Sequence, residues 1–170
     1  MLFKDLVKKR YSCRKMSDRK VEDNLIEQII DSANSAPTAV NKQPVKIFWM
    51  KSNEAKEMVK KATRFTFGAE TFLVVGYNKR EGWVRNFDNH AFAETDAAIV
   101  ATHIMLQITE LGLATTWVGY FDAPLLKSMC QEMEEYEITA IFPIGYAAED
   151  DKPSPRHFVR KERKDLLEVL

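Results

Sequence analysis

Ser35-Ala36-Pro37-Thr38-Ala39-Val40-Asn41-Lys42-Gln43-Pro44 separates an amphipathic helical pattern from a run of strand formers. Two prolines, small residues and side-chain amides make this stretch a fixed turn and stop the helix before it. Pro44 biases Gln43 toward an extended backbone, which leads into the strand-forming Val45-Lys46-Ile47-Phe48-Trp49. On its own such a stretch is a helix-to-strand connector. Its concave backbone, together with Asn41 and Gln43, can also present amides to a flat polar ligand.

Working outward, Val21, Leu25, Ile26, Ile29, Ile30 and Ala33 form one buried helical face upstream of the turn. Ser17 or Asp18 is expected to cap that helix. Leu2, Phe3, Leu6 and Val7 predict a short helix over 2–9. Downstream, Asn53 is expected to cap a polar helix over 54–62, and Phe72 to Tyr77 reads as a strand buried on both faces. Residues 79–92 lack a period and read as a surface loop or lid carrying Trp83, Phe87 and Phe92. A long helix from Glu94 to Leu111, closed by Gly112, is apolar around so much of its circumference that it must be central or lie in a subunit interface. Thr115 to Tyr120 is β-rich, Asp122 can cap a helix over 123–133, and Ile138 to Tyr146 is the last strand, with Pro143 expected near an edge or bulge. After Asp150 the chain is basic and Pro-rich, then ends in Leu166, Leu167, Val169 and Leu170, an apolar terminus expected to dock. The interleaving of helices and strands gives one domain over residues 1–170, α+β or α/β, built on one central sheet.

The formal net charge of zero argues against a polyanion-binding protein. Basic residues are nevertheless concentrated at both ends, where they can converge on one small anion. No run is apolar enough for a membrane span, no signal peptide is indicated, and Cys13 and Cys130 read as free thiols of a cytoplasmic protein. His90, His103 and His157 have no metal-ligand spacing, and no nucleotide-loop, nucleophile-elbow or zinc-protease motif is present. His103 is expected to be a structural hydrogen-bonder. An enzyme with no acid, base or nucleophile motif is what results when a cofactor carries the chemistry. Arg10-Tyr11-Ser12-Cys13-Arg14 has the parts of an anion site. If it is extended, Arg10, Ser12 and Arg14 share one side, and two guanidiniums with a hydroxyl suit a phosphate.

Four motifs in order resemble the FMN-dependent nitroreductase family. They are Arg10-Tyr11-Ser12-Cys13-Arg14-Lys15-Met16, the Ser35–Pro44 stretch, Thr116-Trp117-Val118-Gly119, and Ile144-Gly145-Tyr146 followed by Lys152-Pro153-Ser154-Pro155-Arg156. Tyr11, Met16, Lys42 and Val45 depart from the common pattern, and the chain is short around residues 62–92. The resemblance implies an α+β fold with a central, mostly antiparallel sheet flanked by helices, in an interlocked homodimer whose C-terminal arm (about 150–170) packs on the partner. It implies bound FMN and NAD(P)H as electron donor, in ping-pong reduction of a nitroaromatic, a quinone or a similar small acceptor through the flavin N5. By similarity Arg10 and Arg156, with Ser12, clamp the phosphate next to Tyr11, and Arg14 reaches the ribityl chain and the pyrimidine edge of the ring. Pro37, Thr38, Ala39 and Asn41 come from the other subunit, Trp117, Val118 and Gly119 lie near N5, and Arg64 adds a ribityl contact. A flavin or nucleotide store or sensor without catalysis is the alternative, and basic arms binding an acidic protein or RNA is a third reading.

Overall fold

The computed structural model describes residues 1–170. A four-stranded antiparallel sheet has the order β1-β2-β6-β5, with β1 Val45–Trp49, β2 Thr71–Tyr77, β5 Ala114–Thr115 and β6 Glu137–Gly145. The period of two along β2 sorts its side chains to two faces. Leu73, Val75 and Tyr77 meet one cluster with Ile26 and Ile29 of α2 (Asp23–Asn34) and Ala97, Val100, Ile104 and Ile108 of α4 (Ala93–Glu110). Phe72 and Val74 meet a second cluster with Val59 of α3 (Asn53–Ala62) and Leu126 of α5 (Ala123–Met129), together with Cys13 and Met16. The sheet is therefore sandwiched between helical layers, and this α+β architecture with its antiparallel sheet is the one expected.

The long helix is central: α4 contacts α1 (Phe3–Lys9), α2 and strands β1, β2, β5 and β6. Gly112 ends it at φ 76°, a left-handed position that glycine takes without strain. His103 places Nδ1 3.3 Å from the Ser32 carbonyl oxygen, a structural contact between α4 and α2. No helix is long and apolar enough to cross a membrane.

Several local expectations are corrected. Ser52, not Asn53, caps α3 by accepting the Ala55 N–H at 3.1 Å. Neither Ser17 nor Asp18 caps α2, whose N-cap position is Glu22 without a side-chain bond. Asp122 does cap α5, accepting the Leu125 N–H at 2.9 Å, but that helix ends at Met129 and is followed by a 3-10 turn, Gln131–Met133. Residues 79–92 contain a hairpin, β3 Val84–Arg85 with β4 His90–Ala91, braced by Trp83 and Phe92 with ring centroids 5.1 Å apart. Pro143 lies within β6, which has a neighbour on each side. Ile141 exchanges backbone hydrogen bonds with Val118 at 3.0 and 3.1 Å, so Pro143, two residues on, turns its nitrogen to the same side. That side is the gap between β5 and the Val118 bridge, where the missing N–H costs no ladder bond, and the Thr115 hydroxyl donates to the Pro143 carbonyl at 2.7 Å.

Candidate functional site

The Arg10–Arg14 segment leaves α1 in an extended conformation, with Arg10 at φ −60° and ψ 127°. It is stitched down residue by residue. Cys13 N–H donates to the Thr115 carbonyl at 3.0 Å, Met16 N–H to Phe67 at 2.9 Å and Ser17 N–H to Tyr146 at 2.8 Å, while Ala148 N–H donates to Lys15 at 3.0 Å. Cys13 and Met16 are buried and Arg14 is exposed. The alternation expected for an extended chain thus holds around Cys13, with Ser12 and Arg14 on the opposite side to its thiol. Burial pushes the Cys13 thiol up to about 11. Burial, followed by the neighbouring Asp151 carboxylate, also raises the Tyr11 hydroxyl. Asp151 accepts the Arg14 N–H at 3.4 Å, and so ties the start of the C-terminal arm to this segment.

Lys15, Arg19, Lys51, Lys60, Lys79, Arg80, Arg85 and Lys164 each have a carboxylate within 4.0 Å. Arg10, Arg14, Arg156 and Arg160 form no ion pair, because each of the ten salt bridges involves other cations. Burial first, and then the positive charge of Arg160, lower the Arg10 pKa. Arg160 itself donates to the carbonyls of His157 and Val159, and two like charges that act on one another without a carboxylate between them favour an anion. Arg160 is thus the arm residue whose charge reaches Arg10. Arg156 stands exposed on the 3-10 turn Pro155–Phe158.

Beside this segment is a cleft of about 200 Å³ lined by Arg14, Phe65, Phe67, Thr116, Trp117, Val118, Gly119 and Tyr120. The Val118–Ile141 bridge fixes its floor. Trp117 sets its ring edge-on against buried Phe142 at 5.4 Å, and Gly119 has open space where a Cβ would stand. Phe65 stacks on Phe67 at 5.9 Å and meets Tyr120 edge-on at 5.8 Å. Thr63 supports the strap by donating its hydroxyl to the Tyr120 carbonyl at 2.8 Å. The Arg64 guanidinium lies 5.0 Å over the Phe65 ring and lines an adjoining depression with Gly119 and Tyr120. A flat, open floor with aromatic walls and one arginine that has no counter-charge, donating only to the Ser12 carbonyl at 3.2 Å, is suited to a planar, electron-poor ring. Phe65, Phe67 and Tyr120 were not among the predicted site residues; their one sequence signal was the alternating Phe65-Thr66-Phe67 just after α3. A larger cleft of about 440 Å³ between α2 and α3 contains the Lys51–Asp23 ion pair (2.6 Å) and none of the predicted site residues.

The remaining predicted residues lie elsewhere. Ala39 N–H donates to Asp96 Oδ1 at 2.8 Å, in the first turn of α4. Gln43 N–H donates to the Thr38 hydroxyl at 3.0 Å, and Val40, Asn41 and Gln43 are left-handed, with φ of 45°, 55° and 50°, so the Thr38 bond overrides the extended backbone expected of Gln43 before Pro44. Tyr11 shares a small cavity with Thr109, near the other end of α4. Asp96 and Thr109 are thirteen residues apart, which is about 20 Å of helix. The sheet repeats this separation. Val45 pairs with Tyr77 and Tyr77 with Glu137, at the start of β6, whereas Gly145 and the Arg10–Ser17 connections lie at its end, about 25 Å along the strand. Arg10, Tyr11, Ser12, Arg14, Arg64, Trp117, Val118 and Gly119 are brought together in one chain; Pro37, Thr38, Ala39 and Asn41 are not brought to them.

A model of the nitroreductase family matches residues 7–67 and 56–146. A nitroreductase family protein from Clostridium difficile 630 superposes with a TM-score of 0.91 at 34% identity, over 99% of this chain and 98% of that one. A Methanothermobacter thermautotrophicus protein, provisionally named NADH dehydrogenase/NAD(P)H nitroreductase, is 26% identical over 95% of this chain and 85% of its own. A protein from Exiguobacterium sibiricum 255-15, solved in complex with FMN, has the same fold, with a TM-score of 0.84 at 19% identity over 100% of this chain and 98% of that one.

Proposed function

This chain belongs to the nitroreductase family, and on that premise we propose that it is an FMN-dependent NAD(P)H oxidoreductase acting as a homodimer. The observation that carries the reading is Arg14, without a counter-charge, at a cleft floored by Trp117, Val118 and open Gly119, with unpaired Arg10 and Ser12 on the same extended segment. These residues fit FMN: a phosphate needs free guanidiniums and a ring needs a flat floor. Arg10 and Ser12 hold the phosphate, with Arg160 or Arg156 from the arm. Arg14 places a cation beside the ring, where it favours accumulation of negative charge on reduction. Phe65, Phe67 and Tyr120 would shield the bound ring from water, and the Val118–Gly119 backbone would line the floor beneath it. Bound FMN supplies transfer of a hydride's two electrons from NAD(P)H to an oxidised acceptor such as a nitroaromatic or quinone. Solvent provides the protons, so no histidine is needed.

A second copy completes the site. Pro37, Thr38, Ala39 and Asn41 cannot meet Arg14 of their own chain across about 20 Å, but they can serve the site of a partner. Phe158, Leu166, Val169 and Leu170 are all exposed in the single chain, and the arm that carries them is the exchanged segment, docking its apolar end on the partner. A reducing cytoplasm suits the free Cys13 and Cys130.

The test is the visible spectrum of the purified protein with identification of the released chromophore. FMN near one per chain, reduced rapidly by NADH or NADPH, is expected, with parallel-line steady-state kinetics. Arg10→Ala combined with Arg156→Ala should weaken FMN binding by at least tenfold, and a comparable loss in Arg160→Ala alone identifies Arg160 as the arm's phosphate ligand. A protein that takes up no FMN refutes the reading. One that binds FMN but is reduced by neither nucleotide is a flavin store or sensor.

A further inference from the structure

Asp96 is 1% exposed, and it uses only one of its two oxygens. Oδ1 accepts the Ala39 N–H at 2.8 Å, Oδ2 has no hydrogen-bond partner, and no cation forms an ion pair with the carboxylate. The first turn of the 18-residue α4 favours a carboxylate there, but a buried, half-satisfied acid is a costly way to make one hydrogen bond. The segment it holds is itself unfavourable. Val40, Asn41 and Gln43 are all left-handed, a conformation L-residues resist and a β-branched residue resists most. Such a loop keeps its shape only where its surroundings over-determine it. Two side-chain acceptors do so here: Asp96 at Ala39, and Thr38 at Gln43.

We propose that Asp96 is a positioning residue: through the Ala39 N–H it locks residues 38–43 into the strained turn that presents Thr38, Ala39 and Asn41 to the flavin of a second copy. This rests on the FMN reading above. The lock needs an acceptor at Oδ1 and not a charge, so Asp96→Asn should preserve it and Asp96→Ala should abolish it. The donor can be removed independently. Ala39 is the first residue of its 3-10 turn and follows Thr38 at φ −130° and ψ 158°, a backbone that accepts proline next. Ala39→Pro therefore deletes the N–H, and its ring Cδ, entering the 2.8 Å between that nitrogen and Oδ1, also turns the Asp96 carboxylate away.

Two measurements on the full-length protein test this: amide hydrogen exchange over residues 40–43, and the FMN dissociation constant by fluorescence titration. Asp96→Ala and Ala39→Pro should each speed exchange and weaken FMN binding about tenfold, the double variant no more than either single one, and Asp96→Asn should stay within threefold of wild type. Should Asp96→Ala fail to fold, Ala39→Pro carries both readouts. Unchanged exchange in the variants overturns the lock whatever the flavin does. Faster exchange with unchanged FMN affinity overturns its role toward the flavin. Asp96→Asn behaving like Asp96→Ala overturns the acceptor argument. A wild-type protein that takes up no FMN refutes the proposed function and with it the flavin half of this inference, and the exchange data then decide the lock alone.

Discussion

Val40 gives the sharpest test of the turn geometry. Its φ of 45° and ψ of 30° place a β-branched residue in the left-handed region, and its side chain is 69% exposed. Sitting there costs an L-residue about 1–2 kcal/mol, whereas asparagine tolerates it by bonding locally. Against this relief stands lost burial. Full burial of a valine is worth about 1.5–3 kcal/mol, so the third of the side chain that is covered accounts for roughly 0.5–1 kcal/mol. Val40→Asn should therefore stabilise by about 0.5–1 kcal/mol. Val40→Gly relieves more strain but adds roughly 0.5–1 kcal/mol of unfolded-state entropy, and should come out near neutral. Urea unfolding of FMN-free protein at several protein concentrations measures both. With a slope of about 2 kcal/mol/M, Val40→Asn moves the midpoint up by roughly 0.3–0.5 M with the slope unchanged. A midpoint that falls by as much would refute the reasoning, because it would mean that contacts of the valine side chain outweigh its backbone strain.

Other outcomes follow from single features. The Cys13 pKa of about 11 in the folded chain lies above the roughly 8.5 of an unfolded thiol, so the unfolded chain gives up this proton first as pH rises. The stability tied to Cys13 is complete below about pH 8.5 and is lost as pH climbs through 11; Cys13→Ala should flatten this alkaline limb in pH-dependent unfolding, and Cys130 should be the first thiol to react in the native protein. Ser52→Ala should cost about 1 kcal/mol and Asn53→Ala much less, read by thermal unfolding, because only Ser52 caps α3. Phe87 is 99% exposed on the 84–91 hairpin, and Gly82 before that hairpin lies against Ala93 at the start of α4, close to Asp96. Phe87→Ser should therefore leave stability within about 0.5 kcal/mol and raise KM for aromatic acceptors several-fold, with FMN affinity unchanged; an unaltered KM would place the hairpin away from the acceptor.

The elements were legible because their signals were strong and local. The uninterrupted apolar run of β2 and the all-round apolar α4 could only be interior. The sidedness of the Arg10–Arg14 segment is legible because the spacing of Arg10, Ser12 and Arg14 needs no tertiary information once the chain is extended. Caps were less so, since Ser52 and Asn53 are equally good chemically and the exit of the chain from β1 decides between them. Pro143 misled because composition does not reveal that its nitrogen faces a gap in an interior strand. Phe65 and Phe67 are hard to read because a three-residue alternation is too short to frame a strand, and Arg160 because the path of the arm is tertiary. That Pro37, Thr38, Ala39 and Asn41 serve another subunit is implied by the family resemblance alone; no periodicity or spacing in the sequence separates them from Arg14 along α4.

That separation has a genetic consequence. Loop 37–41 and the Arg10–Arg14 segment sit at opposite ends of the same helix and sheet, so in the homodimer proposed above each site would draw on both copies. A chain damaged in the loop and a chain damaged at Arg10 are each inactive as homodimers. Mixed, they form a dimer in which one site collects both lesions and the other collects none. Two null alleles of this gene should therefore complement each other in the same cell, restoring up to one site in every mixed dimer.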